Sequence, residues 1–592
     1  MKRSQINKEK NQYNDESLWD IFRSYMMQPK FLVKHHLDSY NHFIKHDIKN
    51  ILNARDNVFF LKQYGNKIYR NIIEFENIRL TDPVHIVNKQ DIIITPQTAR
   101  ERNLTYESFL YVTAVQKQHV IDIYNNIENK IEIERKEILL AKIPVMIYSN
   151  LCILNNKEYQ RIDNKYDNGG YFIIKGSEKI CVSQERLAYN RIYVLKKTVG
   201  DVPEYVAEVT SPNKNDKFSL TNIRLHLKKN NIITVSLSIF KNTINIPVIL
   251  LIYLCGIESD EEILNLIVQD SNKDLISEFI RPFFEYKTIL DKSLNPIQED
   301  QKTINIDNLY NTLKNYINKD IFGANQDIKN IDRIYLQNEL KNNLLPFLGT
   351  NLVKKAYYIC YMVNRLILTQ IGQIELSDRD SYINKRVDTT GSILSNVFNY
   401  SIKAMFMECE NIFRKRIGNN LTALIKPPSA IDFLRLDTFD KEFKSAFTIG
   451  EIKSMKRSGV FHVYKQVSYM DSLTHGRMIR TPVGGSRTAS KLVPPRYVQN
   501  TQFGYICPVE SPEGKNIGLV KFLSNSCNIT LLNSNEYNNV YKILQEFIIN
   551  INLVEHYNMH KYKRVFIDGD WIGFTNDPIE LRSKFIKFRR DR

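Results

Sequence analysis

Apolar residues in the first sixty positions recur at helical spacing: Leu18, Ile21, Phe22 and Tyr25, then Leu32, Leu37, Phe43 and Ile44. Residues three and four apart share a helix face, so 18–61 predicts an N-terminal helical layer. From about Tyr69 to Ile153 the pattern changes. Runs such as IYRNIIEFENIRL and FLYVTAV are rich in β-branched and aromatic residues and are punctuated by Pro83 and Pro96, which predicts short strands in a mixed α/β region. In YDNGGYFIIKGSEKICVSQE two β-rich runs flank Lys175-Gly176-Ser177, and Gly176 supplies the positive φ of a tight hairpin.

Residues 191 to about 376 read as a separate unit, with strands first (RIYVLKK, EYVAEVT, IITVSLSIF) and helices after. Ser259 and Glu262 have capping-box spacing before the apolar helix of SDEEILNLIV. The Asn- and Lys-rich piece 291–330 has few large apolar clusters and reads as solvated surface or a mobile insert. AYYICYMVNRLILTQIG, 356–372, reads as a buried helix, with Asn364 and Arg365 arguing against a membrane span. The longest apolar run, Ile246 to Ile257, contains Pro247 and falls well short of the roughly 20 residues a spanning helix requires. A polar, basic region follows Lys456, then a β-rich close, with no internal repeat.

Composition narrows the partners. The 592 residues exceed what one hydrophobic core supports, so several domains are expected, and 43% hydrophobic with 25% charged residues is a globular balance. Lys plus Arg outnumber Asp plus Glu by 82 to 65, a net charge of +17 that favours a polyanionic partner such as nucleic acid. The seven cysteines form no CxxC pair, which gives no sign of a zinc ribbon or a disulfide framework and fits a reducing compartment. The opening MKRSQINKEKNQYNDES is polar and does not read as a signal peptide.

Two clusters imitate metal chemistry. Asp568-Gly569-Asp570 has the carboxylates a Mg²⁺ site would want, yet its flanks alternate as strands and Asp-Gly between strands signals a hairpin. Asp378-Arg379-Asp380 is followed by Lys385 and Arg386, whose cations are expected to pair with those carboxylates. His35, His36 and His42 have no accompanying cysteine, so they do not read as a zinc site. Neither a GxxxxGK[ST] phosphate loop nor a GxSxG elbow occurs. Instead the chain offers a basic, Gly-rich loop, RTPVGGSRTASKLVPPR, whose Arg480, Arg487, Lys491 and Arg496 suit sequence-independent phosphate contact. It leads into NTQFGYICPVESPEGKNIGL, a shaped loop holding Glu510 between Pro508 and Pro512.

The order GGYFIIKGSEK…QER, DRDSYINKR, THGRMIRTPVGG…NTQFGYICPVESPEGKNIGL resembles the second-largest, β-type subunit of multisubunit DNA-dependent RNA polymerases. FLVKHHLDSYNHFI, TPQTARERNLTY, AKIPVMIYS and RVFIDGDWIG agree in the same order, so the resemblance covers essentially the whole chain. It implies an α+β multidomain fold: a mixed α/β protrusion (1–190 and a return segment 377–455), an inserted lobe (191–376), a fork (456–533) and the start of a β-rich external domain (534–592). It implies that Glu510, Pro512, Glu513 and Gly514 form the fork element beside the active centre, with Glu510 tuning nucleotide addition and translocation rather than binding metal. Nucleic-acid contacts fall on His475, Arg477, Arg480, Arg487, Lys491 and Arg496. The family's HLRR pattern is matched only by His475 and Arg477, Met478 replacing the second Arg, and Arg487 and Lys491 are assigned by charge alone.

Family members continue through a hybrid-binding region, wall, anchor and clamp, none of which is present, so the chain resembles an N-terminal half, through a natural split, an intron or a divided gene. The resemblance implies no cofactor on this chain, with Mg²⁺ held by other subunits of the assembled enzyme. Implied partners are the largest subunit, a chain carrying the C-terminal half, other polymerase subunits, template DNA and nascent RNA, with no membrane. The Asn-, Ile- and Lys-heavy composition suggests an AT-rich genome and a large cytoplasmic DNA virus, hence a cytoplasmic location, a viral factory or a virion, the nucleus remaining open. Two rivals stand beside this reading. One is a non-catalytic nucleic-acid-binding or virion protein derived from such a subunit, the other an independent metal nuclease resting on Asp568 and Asp570.

Overall fold

The computed structural model describes residues 15–590, apart from 29, 54–57, 65–66, 88–89, 123–127, 157–158, 160–163, 165, 200–201, 214–218, 229–230, 238–242, 258, 269–305, 321–332, 419–420, 435–436, 453–454, 456, 483–491, 532–533 and 555–560. The chain divides into two units, each discontinuous: 1–186 with 380–531, and 187–379 with 532–592.

In the first unit the amphipathic N-terminal stretch forms helices Asp15–Met26, Lys34–His42 and Ile48–Asn53. The predicted helical layer ends there. Val58–Tyr64 is a strand, because its large aromatics Phe59 and Phe60 pack edge-on against Phe413 at 4.9 and 5.2 Å. It begins an antiparallel sheet, ordered Val58–Tyr64, Lys67–Leu80, Glu107–Asp122, Glu128–Pro144. These strands are not short. The last three run 14, 16 and 17 residues, with bulges at register shifts such as Leu110/Tyr111 absorbing the twist. Helix Thr390–Ile417 knits the unit together, placing Phe398 near Phe43 and Phe439, and Phe413 on the sheet's first strand.

The hairpin predicted around Gly176 is present: Ile174 pairs with Ser177, leaving Lys175 (φ 48°) and Gly176 (φ 75°) as a two-residue turn with both φ positive. Its strand Ser177–Cys181 also pairs with Phe461–Val463.

The second unit holds a five-stranded antiparallel meander in sequential order, from Tyr193–Val199 to Ile244–Pro247. Leu220–Leu227 alternates buried and accessible residues, as a sheet with one covered face requires. The apolar run at Ile246 splits between the last strand and helix Val248–Leu254, with Pro247 at the N-cap. Helix Leu352–Ile371 is buried as expected, capped by Asn351 and by Gly372 in the left-handed region, with Asn364 donating to the Ile267 carbonyl at 2.6 Å. Among the described residues no helix is long and apolar enough to cross a membrane.

Two sequence expectations change here. Ile306–Asp320, inside the piece read as solvated, is a helix that buries Leu309, Tyr310, Leu313 and Ile317, since four apolar residues at helical spacing suffice for one face; 291–305 and 321–330 lie outside the described residues. The capping box is half made: Ser259 accepts from Glu262 N, but the Glu262 carboxylate accepts from Tyr357 Oη instead. Ile551, Val554, Trp571 and Phe574 join the cluster of Ile359, Val363 and Leu366.

The DGD is a hairpin. Ile567 pairs with Asp570, Asp568 (φ 46°) and Gly569 (φ 87°) form the turn, and Asp570 accepts from Lys354 Nζ at 2.6 Å. Asp568→Asn is therefore expected to leave the melting temperature unchanged within error, an effect under about 0.5 kcal/mol, because Asn tolerates the left-handed region as well as Asp. Thermal denaturation measures it.

Candidate nucleic-acid interface

The loop that carries the candidate residues springs from a four-stranded mixed sheet of the first unit, ordered Lys385–Asp388, Ser183–Leu187, Met478–Arg480, Val520–Phe522. Met478–Arg480 and Val520–Phe522 are antiparallel, so the chain leaves the sheet after Arg480 and returns to its neighbouring strand at Val520. Thr481 N donates to the Leu519 carbonyl at 2.8 Å and closes the neck.

Among the described residues of the loop, backbone capture adds to the small apolar cluster of Ile479, Ile506 and Leu523. Arg496 Nη1 donates to the carbonyls of Lys515 (2.9 Å) and Ile517 (2.8 Å), tying the end of the basic stretch to the far limb. Gly518 sits at φ +67°, where a Cβ would meet the Arg496 carbonyl oxygen at 2.3 Å, so the two limbs approach this closely only because that residue is glycine. Ser511 Oγ accepts from Gly518 N at 2.9 Å and donates to the Val520 carbonyl at 3.3 Å, pinning the turn between Pro508 and Pro512. Gly514 takes φ +76°, and a Cβ there would meet no atom within 4 Å, so backbone conformation rather than space selects glycine.

Glu510 is half-buried in this turn, and among the described residues its carboxylate has no hydrogen bond or ion pair. Burial raises its pKa above the ordinary carboxylate range. Pro512 is also half-buried, while Glu513 and Gly514 face solvent. Phe503 and Val509, on the same loop, are 92% and 87% exposed.

The predicted nucleic-acid contacts separate into three kinds. Arg477 is 4% exposed, and its guanidinium donates to the carbonyls of Leu32 (2.9 Å), Ser524 (2.5 Å), Cys527 (2.9 Å) and Leu523 (3.4 Å). All its donors point into protein. His475 is equally buried; its Nδ1 accepts from Lys465 N at 3.1 Å and burial pushes its pKa down to about 4. Neither side chain is placed to meet a phosphate: Arg477 ties the sheet to Leu32 near the N-terminus, and His475 packs against His462 and Tyr464. Arg480 and Arg496 form the second kind. Arg480 Nη1 donates to Ser458 and Gly459 carbonyls (3.2 and 3.3 Å), and both Arg480 and Arg496 are half-buried rather than enclosed. Arg487 and Lys491 lie outside the described residues.

The histidines near the N-terminus are structural as well. His36 sits between Thr390 Oγ1 (2.7 Å) and the Gly476 carbonyl (2.9 Å), with the His35 ring tilted against it, 4.1 Å between centres. Around the DRD motif, Lys385 reaches Asp380 only at 4.0 Å, and Arg386 donates to backbone carbonyls of Ile383 and Lys385 rather than to a carboxylate. Among the described residues no three His, Cys, Asp or Glu side chains lie close enough to hold a metal ion.

Comparison with known proteins fits this loop into a family. A model described as RNA polymerase beta subunit matches residues 31–430, more than half of the chain, and one described as RNA polymerase Rpb2, domain 3, matches 462–529. The chain belongs to the RNA polymerase β-subunit family. DNA-directed RNA polymerase subunit 2 of Acanthamoeba polyphaga mimivirus is 30% identical over 98% of this chain and 49% of its own length. DNA-directed RNA polymerase II subunit 2 of Arabidopsis thaliana is 28% identical over 97% of this chain and 48% of its own, and subunit Rpo2 of Saccharolobus shibatae 26% over 97% and 47%. The chain thus spans about half the length of the relatives it matches. The second family match begins at Phe461–Val463 and ends beyond Leu523, so it takes in the neck, the basic stretch and the Glu510 turn together.

Sequence reasoning missed the residues that hold the loop in place: Glu185, Tyr382, Thr481 and Lys521. Their signal lay in the QER and DRDSYINKR motifs, but polar side chains far apart in sequence show no mutual charge balance until the sheet brings them together.

Proposed function

We propose that this chain supplies the half of a DNA-directed RNA polymerase second subunit that forms one side of the DNA cleft and places a fork loop beside the active centre. In this reading 1–190 and 377–455 are the protrusion, 191–376 the lobe, 456–533 the fork and 534–592 the start of the external domain. The single observation that carries it is the turn holding Glu510: a half-buried carboxylate without a partner among the described residues, on a loop clamped at its neck, in a chain matched to the family over 31–430 and 462–529. In this reading the carboxylate meets a group outside this chain, and the exposed Phe503 and Val509 of the same loop suit cover by another subunit. The largest subunit, the remaining half of the second subunit and Mg²⁺ held by those other chains complete the enzyme. Template DNA and nascent RNA are its nucleic acids, with Arg480 and Arg496 as candidate phosphate contacts on this chain. A cytoplasmic viral site of transcription fits the viral relative and the AT-rich composition.

Primer extension with Mg²⁺ and nucleoside triphosphates tests this. The purified chain is expected to extend nothing, whereas a co-expressed assembly with the missing half and the largest subunit makes template-directed RNA. Extension by the chain alone would overturn the proposal, and an assembly that forms but stays inactive would favour a binding-only role. In the active assembly, Glu510→Ala is expected to change elongation rate or pausing about tenfold or more while leaving assembly intact, as loss of one electrostatic contact at a reacting centre does. Wild-type kinetics on a pausing template would remove Glu510 from the mechanism.

A further inference from the structure

Four stretches far apart in sequence meet at one carboxylate beneath the loop neck. Glu185, on strand Ser183–Leu187, is 1% exposed. Its Oε1 accepts from Tyr382 Oη at 2.5 Å and its Oε2 from Thr481 Oγ1 at 2.7 Å. Lys521 Nζ approaches the two oxygens at 3.4 and 3.3 Å and also reaches Thr481 Oγ1 at 3.3 Å. Lys385 Nζ stands 3.8 Å from the same carboxylate. Thr481 is the first residue of the loop and Lys521 belongs to the strand that receives it, so both limbs are bound to one side chain on a third strand. The Tyr382 segment makes a further contact: its backbone N donates to Thr501 Oγ1, within the loop, at 2.9 Å. The Tyr382 ring packs on the cluster of Ile479, Ile506 and Leu523 below.

We propose that Glu185 is a positioning residue, which with Tyr382 sets the direction in which the 481–519 loop leaves the sheet and so where Glu510 is presented. Apolar side chains would fill this space at less desolvation cost, because taking a carboxylate and two ammonium groups out of water is expensive even when they pair. What the ionic cluster adds is direction. Two hydroxyl donors and an ammonium fix the carboxylate plane, and the carboxylate then fixes both limbs of the neck relative to the Tyr382 segment. Although burial raises the Glu185 pKa, Lys521, Tyr382, Lys385 and Thr481 outweigh it, so the group is held below the ordinary carboxylate range and stays ionised at neutral pH. The inference rests on the reading of 481–519 as the fork loop only for its consequence in catalysis; the positioning itself is a property of this chain.

Amide hydrogen exchange on the full-length chain separates the two. In Glu185→Gln and in Tyr382→Phe, which removes one hydroxyl and keeps the ring, the Thr481 and Gly518 amides are expected to exchange about tenfold faster or more, while the sheet amides of 67–80 and 107–122 keep wild-type rates. Unchanged exchange at both neck amides in a folded variant overturns the proposal. So does equal acceleration throughout the first unit, because Glu185 would then serve only global stability. If Glu185→Gln does not fold, Tyr382→Phe decides alone. In the assembled polymerase, Tyr382→Phe is expected to lower the elongation kcat severalfold with the nucleotide KM within about twofold, the signature of a misplaced group rather than lost substrate binding. Loosened neck amides with normal elongation would uphold the positioning role and overturn the fork reading of Glu510.

Discussion

Gly391→Ala is expected to prevent the first unit from folding to its native packing. Gly391 opens helix Thr390–Ile417, and a Cβ there would meet the Ser39 carbonyl oxygen at 1.9 Å, its carbon at 2.5 Å and Ser39 Oγ at 2.6 Å. The approach is enforced from both sides: Ser39 Oγ accepts from Gly391 N at 2.8 Å and from Thr389 Oγ1 at 2.6 Å. No side-chain rotation relieves a clash with backbone, so the helix must retreat from Lys34–His42 and give up the contacts of Phe398 with Phe43. The cost is more than about 3 kcal/mol, a large part of a domain's total stability. Gly372→Ala is the control. It adopts φ +86° with nothing within 4 Å, so only backbone strain of about 1 kcal/mol is expected. Chemical denaturation of both variants measures the difference, and equal midpoints would refute the steric argument.

The second large effect is acid sensitivity of the same unit. Burial pushes His36 and His475 down to about 4 and lowers His35 and His462 as well, with Arg477 opposing protonation of His35 and His36 and Arg480 that of His462. Unfolded histidines bind a proton near 6.5, so between there and about 4 the unfolded chain takes up protons that the folded chain refuses. Stability present above pH 6.5 is therefore lost as pH falls, by about 3 kcal/mol each for His36 and His475. Among the described residues three carboxyls work the other way. Burial raises Glu107 to about 7 and lifts Asp38 and Glu510 above the ordinary carboxylate range, so their contributions are full below that range and are lost as pH rises, for Glu107 through 7. The four histidines outweigh them, and a net loss of roughly 3 kcal/mol or more between pH 7 and 4.5 is expected. Urea denaturation at pH 7, 5.5 and 4.5 reads this, and His475→Gln should flatten the dependence. A stability independent of pH over that range would contradict the buried, neutral state of these rings.

Little of this chemistry is visible residue by residue. His475 and Arg477 read as candidate phosphate contacts because each carries a donor beside a basic loop, yet the carbonyls of Leu32, Leu523, Ser524 and Cys527 surround Arg477 and the Lys465 amide occupies His475 Nδ1. A cation's sequence neighbours do not disclose whether water or backbone will solvate it. The Glu510 turn was legible because Pro fixes φ and Gly supplies positive φ locally, and the DGD and Lys175-Gly176 turns because Gly does.

The sequence by itself determined what depends on neighbours in the chain: the two hairpins, the buried helix within Leu352–Ile371, the strands that precede it, and a family resemblance spread over nearly every segment. Tertiary structure alone decided what depends on distant partners. It turned Val58–Tyr64 into a strand, drew Ile306–Asp320 into a core, joined 534–592 to the core of 191–376, and gathered Glu185, Tyr382, Thr481 and Lys521 into one buried cluster. The physical reason is that φ, ψ and capping preferences act over a few residues, whereas burial, desolvation and ion pairing are set by whichever surfaces the completed fold brings into contact.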